Sequence, residues 1–272
     1  MSDPVWVWGI PFAPLTLSEA VAAVCKLIAA RKPAYFITAN THYAMVTAEN
    51  PDLPPINQQA AFVLADGAPL VWASRWRGTP LPERVAGSDL IFELCAKAAE
   101  EGYRMFFLGG AAGVAEEAAR RLQARYANLQ IVGTECPPFR ELTSDEQTAL
   151  IVRVRSARPD IVFVAFGQPK GERWIHRHLA ELDVPVSVQV GASLDFAAGR
   201  VSRAPHWMQT AGLEWAFRLA LEPRRLFMRY TRNAWFILRM ITRDLAQAFR
   251  RSRALDSTPP SDMSSSQRAT LP

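Results

Sequence analysis

Short apolar runs, each closed by a small polar residue or a glycine and each followed by an amphipathic stretch, recur between Ala34 and Gly191, mostly about 25–30 residues apart with one longer gap. This alternation constrains the fold more than any other feature of the sequence. The runs are AYFIT at 34–38, AFVLA at 61–65, RMFFL at 104–108, residues 129–132, IVFVAF at 161–166 and residues 186–190. Helices are predicted over 17–30, 88–101, 114–126, 144–157 and 172–182. Thr16 or Ser18 caps the first, and Ser88 or Asp89 stands near the cap of the second. Strands that are apolar throughout fit a parallel sheet covered on both faces. The predicted fold class is therefore α/β: a Rossmann-like parallel sheet with helices on both faces.

In such a sheet ligands bind at the carboxyl ends of the strands. The residues just after each run become the candidates: Thr38, Asn40, Asp66, Gly109, Gly110, Gly167 and Gly191. Asp66 has two readings, a general base at the mouth of the crevice or a turn-forming Asp-Gly. Thr38 and Asn40 either bind a polar ligand or cap the next helix. Gly109-Gly110 before a helix reads as an anion-binding turn or as a plain strand-to-helix turn. In Gly167-Gln168-Pro169-Lys170-Gly171-Glu172, Lys170 either faces a diphosphate or is a solvated lysine at a helix start.

After Arg200 the character changes. Residues 1–199 carry 18 basic and 21 acidic side chains, net −3, whereas residues 200–253 carry 12 arginines against three acids, net +9. Residues 207–221 read as an aromatic-rich helical stretch that Pro223 interrupts, and residues 224–243 as a second helix. At 100° per residue, Arg225, Arg229, Arg232, Arg239 and Arg243 form one stripe. Leu226, Tyr230, Ala234, Ile237 and Ile241 lie opposite, and Phe236 breaks into the stripe. The segment reads as a binder of nucleic acid, membrane phosphates or a diphosphate ligand; bulky apolar residues among the arginines disfavour nucleic acid and suit an anionic membrane surface, with an ordinary packed surface helix as the alternative. The domain reading is an α/β catalytic body over 1–199, an Arg-rich helical docking appendage over 200–250 and a disordered tail over 251–272.

Other classes find little support. Cys25, Cys95 and Cys136 are odd in number and widely spaced, which suggests a reducing cytosol rather than zinc or a disulfide frame. The four histidines have no metal spacing, and no DxD pair stands in a suitable loop, so no metal or cofactor is expected. The N-terminal stretch, cut by Pro4, Pro11 and Pro14, does not read as a signal peptide, and no transmembrane run is expected.

The segments TANTH at 38–42, ADG at 65–67, RVAGSDL at 84–90, FLGG at 107–110, FGQPKGERWI at 166–175, GASLDFAAGRVSRAPHWM at 191–208 and GLEWAFRLALEPRRLFMRY at 212–230 resemble the bacterial WecG/TagA/CpsF glycosyltransferases. The resemblance implies an inverting, metal-independent transfer of an N-acetylmannosamine, its uronic acid or glucose. The donor is a UDP-sugar and the acceptor a polyprenyl-diphosphate-linked glycan. It implies Asp66 as base and Thr38, Asn40 and Arg84 as substrate ligands. Arg218, Arg225 and Arg229 grip the lipid diphosphate. Gly109, Gly110, Gly167, Lys170, Gly191 and Asp195 face the nucleotide. Action at the inner face of the cytoplasmic membrane follows. Gly171 departs from the family, which usually has Gln there. Two rivals stand beside this reading. A nicotinamide-dependent oxidoreductase calls for a GxGxxG turn that this sequence lacks. A non-catalytic membrane adaptor would use the basic helix alone.

Overall fold

A computed structural model describes residues 2–256. The elements in chain order are β1 (Val5–Val7), β2 (Ile10–Phe12), α1 (Leu17–Ala30), β3 (Ala34–Ala39), α2 (Thr41–Glu49), α3 (Leu53–Gln59), β4 (Val63–Ala65), α4 (Ala68–Trp76), α5 (Gly87–Glu101) and β5 (Arg104–Gly109). They continue with α6 (Val114–Arg125), β6 (Gln130–Glu135), α7 (Ser144–Ser156), β7 (Ile161–Ala165), α8 (Lys170–Leu182), β8 (Val186–Gln189), α9 (Ser193–Ala197), α10 (His206–Thr210), α11 (Glu214–Leu221) and α12 (Pro223–Asp256).

The eight strands form one sheet in the order β1-β2-β4-β3-β8-β7-β5-β6. All neighbours are parallel except the β1–β2 hairpin. Alternate residues of each strand feed opposite faces. Tyr35, Ile37, Phe106, Leu108, Val162 and Val164 bury with residues of α2, α3, α4, α7, α8 and α12. Phe36, Leu64, Phe107, Phe163 and Val188 bury with residues of α1, α5, α6 and α9. The α/β class and its two helical layers thus follow from runs that are apolar on both faces. From β3 the chain steps outward to β4, while β5 and β6 lie on the far side of β7 and β8. The strand order therefore reverses near β8, the place at which sheets of this kind bind their ligands.

Several local expectations are refined. Thr16, not Ser18, caps α1 through a reciprocal box with Glu19. Ser88 and Asp89 lie inside the first turn of α5, which Ala86 precedes. The N-terminal hairpin was not foreseen. Trp8 (φ 50°) and Gly9 (φ 85°) make its two-residue turn, with both residues left-handed as tight hairpins prefer. Helix α2 was expected only as the segment that Thr38 or Asn40 would cap, and Asn40 is the cap. Thr41, Tyr43, Ala44, Met45 and Thr47 are all buried, so no apolar face stands out from a polar one. Prolines in the first turns of α3 and α4 start those helices rather than break them.

The appendage differs more. The stretch 207–221 is two helices, parted at Gly212 (φ 72°). A Cβ on Gly212 would lie 2.9 Å from Ala68 Cβ, so the break lets the chain press on α4. Helix α12 is continuous for 34 residues. Its inner face is Leu226, Asn233, Phe236 and Met240, with Arg229 half-buried beside them. The sequence-derived stripe was thus rotated: Phe236 packs into the core, Arg229 turns inward and Ala234 is exposed. Residues 251–256 are helical, which corrects the start of the expected tail. The rest of that tail lies outside the described residues.

Candidate active site

Asp66 stands at the carboxyl end of β4, and its N–H donates to the Ala39 carbonyl (2.9 Å), which ties the turn to β3. The side chain points toward the start of α5. A Cβ on Gly87 would lie 3.3 Å from Thr38 Oγ1, 3.4 Å from Ser193 Oγ and 3.7 Å from Asp66 Oδ2. Three polar groups, from the ends of β3 and β4 and the start of α9, therefore converge on one glycine. Burial raises the Asp66 carboxyl to a pKa of about 6, against the opposing pull of the Arg84 guanidinium and the Gly87 N–H. Such a group is ionised at neutral pH yet basic enough to take a proton from a hydroxyl.

Arg84 belongs to a charged cluster drawn from four segments. Its Nη1 donates to Glu214 Oε2 (3.1 Å), and its Nη2 lies 3.7 Å from Asp89 Oδ2. Arg203 donates to Asp89, and its Nε sits 3.9 Å from Glu214 Oε1. Glu214 comes from α11, so the appendage is pinned to the body beside Asp66. Sequence reasoning placed Asp89 only near a helix cap and gave no role to Arg203 or Glu214, although all three lie in the segments that carry the family resemblance.

A second polar chain fixes Asn40. Its side chain accepts from the Tyr43 N–H (3.0 Å) and donates to Gln168 Oε1 (2.8 Å). Gln168 Nε2 donates to the Thr38 carbonyl (2.9 Å) and to Glu172 Oε1 (2.8 Å). Asn40 is therefore both helix cap and crevice residue, and Gln168, which sequence reasoning passed over, holds it in place.

Burial pushes Glu172 up to about 8 from an ordinary 4.5, against the Gln168 bond that lowers it. The folded value lies above the unfolded one. Between pH 4.5 and about 8 the unfolded chain gains charge that the folded chain resists, so stability falls across that window. Glu172→Gln keeps an acceptor for Gln168 and removes the titration. Its melting temperature should match the wild type near pH 5 and exceed it at pH 8, by about 2–4 °C for each kcal/mol relieved. Thermal unfolding at the two pH values checks this.

The family departure at Gly171 has a spatial counterpart. A Cβ there would fall 1.9 Å from Gln189 Oε1 and 2.5 Å from its Cδ. Gln189, from the central strand, fills the space a side chain at 171 would need, and it accepts from the Phe166 N–H (3.3 Å). Gly171→Ala should cost about 1–3 kcal/mol by displacing a buried, bonded side chain. Adding Gln189→Ala should return part of that loss, as a double-mutant cycle by denaturant unfolding would reveal.

Several appendage arginines gather near Asp195. Burial raises Asp195, which Arg225, Arg200 and Arg218 pull down, so all three guanidiniums lie near it. Asp195 shares helix α9 with Ser193, which connects the arginines to the Asp66 corner. Arg218 Nε and Arg229 Nε are buried and meet no hydrogen-bond partner among the described residues. Burial, with Arg218 and Arg225 nearby, lowers the Arg229 pKa. Arg229 also faces His42 at the start of α2, and burial plus that guanidinium hold the imidazole down to about 4.

The remaining sequence candidates are less concentrated. Gly110 N–H donates to the Ala165 carbonyl (3.1 Å), so that amide is already engaged. A Cβ on Gly109 would strike the Phe166 ring at 2.8 Å, so this glycine lets β5 and β7 end side by side. Gly167 and Gly191 are left-handed, with open space where a Cβ would stand. Lys170 places its Nζ over the Phe139 ring, 5.8 Å from the centroid. Among the described residues no three His, Cys, Asp or Glu side chains gather as a metal site would require.

A carboxylate raised by burial and a group of guanidiniums thus stand at the strand ends near the reversal point of a doubly wound sheet. The chain belongs to the glycosyl transferase WecG/TagA/CpsF family, whose model matches residues 5–251. It is 33% identical over 194 residues to a Bacillus spizizenii protein, covering 71% of this chain and 74% of that one. A Bacillus subtilis relative is 32% identical over 220 residues, covering 80% and 84%. A Staphylococcus aureus relative is 29% identical over 223 residues, covering 81% and 85%. Each of the three is named N-acetylglucosaminyldiphosphoundecaprenol N-acetyl-beta-D-mannosaminyltransferase. The chain is thus a glycosyltransferase, and the oxidoreductase and adaptor readings are set aside.

Proposed function

We propose that this enzyme transfers an N-acetylmannosamine-type sugar from UDP to an N-acetylglucosamine carried on a polyprenyl diphosphate, with inversion and without a metal ion. One observation carries the reading: Asp66 shares a corner with Thr38 Oγ1, Ser193 Oγ, the Gly87 N–H and Arg84, and burial raises its carboxyl to about 6. The acceptor hydroxyl oxygen attacks the anomeric carbon from the side opposite UDP. Its proton passes to Asp66, the new glycosidic C–O bond forms, and the old one breaks with its electron pair leaving on the UDP β-phosphate. Thr38, Asn40 and Arg84 hold the reacting sugars. The diphosphates lie toward Asp195, Gly167 and Gly191, where Arg218, Arg225 and Arg229 offset their charge. Gly109 and Gly110 shape the floor under the nucleotide, and Lys170 stands at its outer rim.

The acceptor's lipid calls for a membrane surface. Among the described residues no helix is long and apolar enough to cross a bilayer. Helix α12 instead exposes Phe227, Trp235, Leu238 and Leu245 among arginines, which suits the inner face of the cytoplasmic membrane. The test is a panel of UDP-sugars against short-chain polyprenyl-diphosphate N-acetylglucosamine, read by product mass. Addition of one N-acetylhexosamine, with the β configuration from an α donor, is expected. Failure of every UDP-sugar to yield product would end the proposal.

A further inference from the structure

The appendage is not the only part of the chain with an exposed aromatic face. Helix α4 begins at Ala68, two residues beyond Asp66. It buries Leu70, Val71 and Ala73 in the same core cluster that receives Phe236 and Met240 of α12. Its other side carries Trp72, 44% exposed, and Trp76, 71% exposed, with exposed Arg75 between them. Burial of large aromatics is strongly favoured, so two tryptophans left in water one helical turn apart call for an occupant.

Contacts at both ends set α4 alongside the appendage. Gly212 presses on Ala68 and Trp72, and Arg77 Nη1 donates to Asp244 Oδ1 of α12 (2.5 Å). Trp8 Nε1 donates to the same carboxylate (3.4 Å). Helices α4 and α12 also bury their inner faces in one core cluster.

We propose that α4 is a second membrane-contacting element, seating Trp72 and Trp76 at the headgroup level of an anionic bilayer beside α12. Tryptophan suits that depth, with an apolar ring and one N–H for the polar layer. Arg75, with Arg224 and Arg239 of α12, supplies cations for lipid phosphates. The charge chooses the occupant. A second copy docked across a two-fold axis would set these arginines against their own images. An anionic surface meets them with the opposite sign. The inference rests on the lipid-linked acceptor proposed above and adds a consequence. Since α4 follows the catalytic turn directly, seating it fixes the height of Asp66 over the headgroups that present the acceptor hydroxyl.

The test uses the full chain, floated with vesicles of phosphatidylglycerol and phosphatidylethanolamine or of phosphatidylcholine alone. Trp72→Ser/Trp76→Ser should lower partitioning onto the anionic vesicles at least about 10-fold. Turnover of a vesicle-embedded acceptor should fall with it, while turnover of a short-chain acceptor in solution stays at the wild-type level. Arg75→Glu, which leaves the core untouched, should weaken anionic binding about 5-fold or more and keeps the idea testable should the tryptophan pair fold poorly. Unchanged partitioning of both variants would overturn the proposal. So would a concentration-dependent dimer of the wild type that the tryptophan variant abolishes. Flotation needs no turnover, so failure of the proposed reaction would be seen separately.

Discussion

Asp66→Asn is expected to lower turnover by about 10²–10⁴-fold while UDP still binds and the fold is kept. Asparagine matches aspartate in shape and can still meet the Gly87 N–H, but its amide cannot accept a proton from the attacking hydroxyl. Thermal stability should hold or rise, because the substitution removes a charge whose burial is unfavourable. Single-turnover kinetics with titrated UDP separates the two effects. Loss of UDP binding equal to the loss of turnover would move Asp66 from base to ligand.

The same carboxylate sets the pH profile. Its pKa of about 6 lies above the ordinary 3.8, so the base is ionised only above that value. The rate with saturating acceptor should rise tenfold per pH unit below about 6 and level off above it. Arg84 opposes the effect of burial, so Arg84→Gln should move this limb to higher pH, with the acid form persisting further. Stability follows the same sign. The folded value exceeds the unfolded one, so Asp66 costs the native state stability as pH climbs from 3.8 to about 6. The pH that activates the base is the pH at which keeping it buried is least favourable.

How much of this was legible in the sequence depends on the distance over which each feature is decided. Strands β3, β5 and β7 are largely apolar on both faces, so local composition was enough, and the ends of β3 and β4 then gave Thr38, Asn40 and Asp66. The turn after β7 was read through its charged residue, Lys170, yet the side chain that reaches the crevice is Gln168. Which of the two points inward is decided by the Thr38 carbonyl and by Glu172, and spacing carries no trace of them. The cluster of Arg84, Asp89, Arg203 and Glu214 joins residues up to 130 positions apart, which no local pattern encodes. In α12 the period was right and the rotation wrong. An arginine that turns inward to serve a site looks, in sequence, like one that faces water.

That inward turn makes Arg218→Ala the most informative substitution in the appendage. Arg218, Arg225 and Arg229 crowd one region, and Arg229 feels both neighbours as repulsion on top of its own burial. Arg218 is held over the Phe196 ring at 5.5 Å, with its Nε buried and unpaired. A like-charged, partly desolvated group raises the free energy of the native state. Removing one member should therefore leave the melting temperature unchanged or higher. Turnover of the lipid-linked acceptor should nonetheless fall by about 10²-fold, the usual effect of deleting one positioned donor to a charged transition state. Vesicle flotation should stay near wild type, because the outward arginines and tryptophans remain. Arg239→Ala, on the exposed side of α12, should change turnover in solution by less than about 2-fold at similar cost in net charge. A stabilised, membrane-binding, inactive Arg218 variant is what a cluster kept for an anionic substrate requires. A destabilised one would mean that the arginines hold the appendage in place and do nothing for the reaction.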